Sequence, residues 1–86
     1  MKVNKSVRIS GDHTIEWGDS TWDNGADFSI RNRYDNTSTG GFNVRGSSEI
    51  PWHDFNRMIN ESLANGQFST SEIADILNAI ARNSLK

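Results

Sequence analysis

The sequence predicts a small α+β domain: a four-stranded antiparallel meander over about residues 3–45, with one face covered by two C-terminal amphipathic helices, about 51–64 and 70–83. Three observations carry this reading. Apolar and polar residues alternate with period two in the first half, apolar residues recur at helical spacing in the second, and turn-forming pairs separate the segments.

Val7 and Ile9 alternate with Arg8, and His13, Ile15 and Trp17 alternate with Thr14 and Glu16, so two strands flank a turn at Gly11-Asp12. Residues 18–27 combine turn formers with acids and predict a loop closed near Asn24-Gly25, with Trp22 in its middle. In the next strand Phe28, Ile30 and Tyr34 share one parity and Ser29, Arg31 and Arg33 the other, which places a hydrophobic row inward and two arginines outward on a solvated face. Asp35 to Gly41 reads as a polar turn. Phe42 and Val44 against Asn43 and Arg45 then predict the fourth strand, ended by Gly46-Ser47-Ser48.

Pro51 suits the first turn of a helix, where its missing N–H would have no partner anyway, and Trp52, Phe55, Ile59 and Leu63 follow at helical spacing. Asn65-Gly66 supplies the stop. Ser69 and Glu72 fit a capping box, Phe68 and Ile73 occupy the positions of a hydrophobic staple, and Ile73, Ile76, Leu77 and Ile80 form one stripe.

At 86 residues the chain can build one domain and bury only about 60 to 65% of its unfolded surface. With no cysteine, neither disulfides nor thiolate zinc sites are expected. No apolar run follows the N-terminal charges, so neither a secretory signal nor a membrane anchor is expected, and a cytoplasmic protein is the default. The net charge of −2 is small but unevenly spread: residues 1–10 hold three bases and no acid, residues 12–27 hold Asp12, Glu16, Asp19, Asp23 and Asp27 and no base.

The acidic loop ranks first among candidate binding features, because Trp22, surrounded by Asp and Gly, has few local apolar neighbours to hide against and exposed Trp is a typical interface anchor. Asp19, Asp23 and Asp27 would steer encounter with a basic target. Their spacing lacks the register of a calcium loop, so no metal is expected, and no motif calls for a cofactor. Arg31, Arg33 and Arg45, with Arg8, would otherwise present guanidinium forks for phosphate, the basis of a nucleic-acid-binding alternative; the competing expectation pairs them across strands with Glu16. A third reading combines His13, Glu16 and Arg31 or Arg33 into a small ribonuclease-like centre.

The sequence favours a non-enzymatic protein-binding module. Its size, lack of cysteine and strand-then-helix layout resemble those of small inhibitors encoded by phages and mobile elements, including anti-CRISPR proteins. That resemblance implies a protein target, a larger bacterial protein or complex blocked by direct binding; it carries over no site residue. Self-association through a sheet edge or a free helix surface competes for the same exposed aromatics.

Overall fold

The structure is a computed structural model that describes residues 1–21 and 27–84. Trp22, Asp23 and the expected turn at Asn24-Gly25 lie outside the described residues. The chain forms an α+β arrangement: β1 (Lys2–Arg8), β2 (His13–Asp19), β3 (Phe28–Tyr34), β4 (Ile50–Pro51), α1 (Trp52–Ala64) and α2 (Thr70–Ser84). Two compact units result, Met1–Asn56 and Arg57–Lys86.

In the first unit the strands pair antiparallel in the order β1-β2-β3-β4, so sequential neighbours lie side by side. The register brings Val7 beside Ile15, Trp17 beside Ile30, and Ile30 beside Ile50. These residues share one apolar face. The same register aligns Glu16 with Arg31, Thr14 with Arg33, and Gly18 with Ser29 on the opposite face. A bulge between Val3 and Lys5 shifts the β1 register by one residue.

The fourth strand is Ile50–Pro51, not the expected Phe42–Arg45. Phe42 makes a single bridge to Asp35, after which the backbone turns away from β3. The causes are local. A tight turn closes as Asn36 N–H donates to Gly41 O at 2.7 Å and Gly40 N–H to Asn36 O at 2.7 Å, with Gly40 at φ 72°. Asn43 Oδ1 then accepts from Gly46 N–H at 3.1 Å, a side-chain bond that stabilises a second turn at the expense of the ladder. Pro51 tolerates its strand position because β4 is at the sheet edge.

The expected sides of the sheet are corrected as well. Arg31 does not stand on a solvated face, its side chain being 10% exposed and that of Glu16 7%, whereas Arg33 keeps 34% of its side chain exposed. Phe28, expected inward, is 39% exposed. Among the described residues no hydrophobic side chain is buried, while Glu16, Ser20, Ser29 and Ser47 are. The reason is that the segment between β3 and β4 returns across the polar face, with the Phe42 ring over both guanidinium groups.

Small residues permit close backbone packing where β1 bulges against β2. Gly18 packs so tightly that an added Cβ would collide with the Lys2 carbonyl. Ser29 is fully buried against it, and its Oγ has no hydrogen-bond partner among the described residues.

Helix boundaries follow the sequence signals. Gln67 N–H donates to Ser62 O at 2.9 Å and Gly66 N–H to Leu63 O at 3.2 Å, with Gly66 at φ 67°, the Schellman closure that ends α1. At the start of α2, Glu72 N–H donates to Ser69 Oγ at 3.1 Å and Ser69 N–H to Glu72 Oε1 at 2.8 Å, the expected capping box. The Ser69 amide, and then its side chain, hold the Glu72 carboxyl below its ordinary pKa. Neither helix contains a buried residue among those described. Ile73, Ile76, Leu77 and Ile80 all remain exposed.

Two substitutions at the paired positions should move stability in opposite directions. Ser29→Ala removes a buried hydroxyl without a partner and should raise stability by about 1 kcal/mol, whereas Gly18→Ala forces β1 off β2 and should lower it by about 1–3 kcal/mol. Urea unfolding monitored by Trp fluorescence measures both.

Candidate functional site

The polar face is built around one ion pair. Arg31 Nε donates to Glu16 Oε1 at 2.7 Å, directly across the β2–β3 ladder, and Arg33 Nη1 lies 3.9 Å from Glu16 Oε2. Arg33 Nε also donates to Asp35 Oδ1 at 3.1 Å. Phe42 sits with its ring centroid 4.8 Å from the Arg31 guanidinium carbon and 4.3 Å from that of Arg33, so one aromatic face serves both cations. The expected cross-strand pairing of the arginines is observed. Arg45 is not brought to it; it lies exposed in the turn at Val44–Gly46 and makes no ion pair among the described residues. Arg8 is tied elsewhere, donating to Ser10 O at 3.2 Å and Gly11 O at 3.0 Å.

A second latch closes the same segment. Glu49 Oε2 accepts from Thr21 Oγ1 at 2.7 Å and Thr21 N–H at 3.2 Å, and Glu49 Oε1 lies 2.7 Å from the Met1 ammonium. Burial by itself would raise the Glu49 pKa; the bonds from the Met1 ammonium and from Thr21 outweigh it and hold the carboxyl below its ordinary value. Ser47 Oγ accepts from Tyr34 N–H at 2.9 Å, and Asn43 N–H donates to Tyr34 O at 2.9 Å.

On the apolar face the described residues of the first unit leave a groove. Trp17, Phe28 and Trp52, with Asn4 and Lys5 at the rim, line an open groove of about 380 Å³. Trp52 meets Phe28 edge-on at 5.4 Å and stacks on Phe55 at 5.2 Å, so the first turn of α1 forms one wall. Beyond Phe55, a smaller hollow of about 170 Å³ opens between Ile15, Ile30 and Ile50. Sequence reading missed this groove because Phe28 and Trp17 have inward parity, and a parity says which face a residue is on, not whether that face is covered.

Other candidates fare differently. The register puts Asp19 opposite Phe28, and Ser20 N–H donates to Asp27 O at 2.9 Å, so both ends of the acidic loop spring from the groove end of the sheet. The supposed ribonuclease centre is not assembled: His13 is on the apolar face, its Nε2 2.8 Å from Asn32 Oδ1 and its ring stacked on Tyr34 at 4.5 Å, while Glu16 is on the polar face. His53 lies exposed beside Asp54. The broad depression at Arg8, Asp12 and Asp35 is lined by groups already engaged, Asp12 by Ser10 Oγ and Asp35 by Arg33. No cluster of three potential metal ligands occurs among the described residues. No described helix is long and apolar enough to cross a membrane.

Comparison with protein-family models, with curated proteins and with solved structures returns no match.

Removing one member of the central pair leaves the other charged and buried. Glu16→Ala should therefore cost about 3–5 kcal/mol in urea unfolding, far more than an exposed ion pair would. Glu49 makes a separate contribution to acid stability. Because its folded pKa lies below the ordinary 4.5, its stabilisation is present above that value and is lost as pH falls through the lower folded one. Glu49→Gln should flatten the decline of stability below pH 4.5, read from unfolding midpoints across an acid series.

Proposed function

We propose that this chain is a non-catalytic protein-binding module, a small inhibitor that acts by occupying a surface of a larger protein. The observation that supports it best is the aromatic groove that Trp17, Phe28 and Trp52 form within the first unit. A soluble chain seldom leaves contiguous aromatic surface in water without a partner for it, and indole rings in a concave site are typical anchors of binding energy. The acidic residues Asp19 and Asp27 at the same end of the sheet fit a role in steering the encounter, and Trp22 and Asp23 lie between them in the sequence.

Two rival readings draw less support. Arg31 and Arg33 spend their Nε donors on Glu16 and Asp35 and lie against Phe42, so few forks remain for phosphate. A ribonuclease would need His13 and Glu16 on one face, and they are on opposite faces.

Affinity capture from the source cell or its host, followed by direct titration of the purified partner, tests the proposal. Phe28→Asp should weaken that binding by about thirtyfold or more, the loss of a typical anchor, while circular dichroism stays unchanged. Unaltered affinity in folded Phe28→Asp and Trp52→Asp variants would sink it.

A further inference from the structure

The groove meets the free edge of the sheet at Asn4 and Lys5. Among the described residues strand β1 pairs with β2 on one side only, and all seven of its residues are exposed. An edge strand of this length offers a row of backbone N–H and C=O groups with no protein partner. Lys5 belongs to both features: it lies on that edge strand and it rims the hollow between Trp17, Phe28 and Trp52.

From this juxtaposition we infer that the β1 edge binds an extended, acidic segment of the partner protein as a fifth strand, with an apolar side chain of that segment seated in the Trp17–Phe28–Trp52 groove. The inference rests on the protein-binding reading above and names the chemistry of the partner.

Charge selects the occupant. Lys2, Lys5 and Arg8 are the charged residues of β1, and no acid accompanies them. Arg8 is held at the hairpin by Ser10 O and Gly11 O, so its charge is fixed in position. At the other end Lys2 pairs in register with Asp19, where the acidic loop begins, so the acids of the incoming segment belong opposite Lys5 and Arg8. Cross-strand pairs of opposite charge stabilise a ladder, and like charges destabilise it.

The same rule excludes a second copy on this edge. Antiparallel pairing of two β1 strands centred on Lys5 would set Lys5 against Lys5 and Lys2 against Arg8, with like charge at every charged position. The bulge at Val3–Lys5 further bends the edge away from a flat self-pairing. A nucleic acid would satisfy the lysines and stack a base on the rings of the groove, but it offers nothing that continues the backbone ladder. Strand addition uses both, main-chain bonds for affinity and a side-chain pocket for selectivity.

The test uses the whole chain, isotopically labelled, and an eight-residue capped peptide in which Phe stands two positions from a first Glu, on the face of Lys5 and the groove, and a second Glu stands three positions from the first, on the face of Arg8. Amide shifts should concentrate at residues 2–8 and around Phe28 and Trp52. Binding should weaken by about tenfold or more in Lys5→Glu, in Phe28→Ser, and with the same peptide N-methylated at two consecutive central residues, which blocks both of its edges at unchanged charge. Equal affinity of the N-methylated peptide overturns the inference. So does tighter binding of oligo-dT or of anionic vesicles at Lys5, or dimerisation of the chain through β1. If the peptide fails while a captured partner still depends on Phe28 and not on Lys5, the edge assignment falls and the proposed function stands. If the captured partner is also indifferent to Phe28, both fall.

Discussion

The Glu16–Arg31 pair is the constraint around which the sheet is organised. Two opposite charges on adjacent strands align in register, and the chain then covers them with Phe42. Once those charges are withdrawn from water they must stay paired, because an isolated buried charge costs several kcal/mol. The segment between β3 and β4 is thereby committed to the polar face. Its length and its two turns go into closing that face, and only Ile50–Pro51 remain to extend the sheet.

This commitment explains an unusual distribution of burial. Among the described residues serines and a glutamate are the buried polar side chains, and the large apolar residues are partly exposed. A sheet has two faces and an 86-residue chain has little material to cover them. Within the first unit the loop goes to the polar face, and Trp52 and Phe55 from the first turn of α1 wall the apolar one. The buried ion pair and the aromatic groove thus lie on opposite sides of the same strands.

The helical half follows local chemistry closely. Ser69 and Glu72 form the reciprocal cap that their spacing implies, and Gly66 takes the left-handed conformation that ends α1. Such signals are legible because both partners of each bond lie within a few residues of one another. The first three strands and the Gly11-Asp12 hairpin were legible for a similar reason, since alternation is a property of consecutive residues. Phe42 to Arg45 misled because its alternation is genuine, while the turns around it, set by Gly40 and the Asn43 side chain, remove it from the ladder.

By itself the sequence determined the fold class, the order of the elements and the helix ends, and it offered the pairing of Arg31 and Arg33 with Glu16 as one of two readings of those arginines. Which sheet face is closed was decided only in three dimensions. Parity sorts Ser29, Arg31 and Arg33 from Phe28, Ile30 and Tyr34 without saying where a loop eleven residues downstream of Arg31 will lie, and it is Phe42 on that loop that makes the arginine face the interior. Cover depends on contacts distant in sequence, and so does the groove left open at Trp17, Phe28 and Trp52.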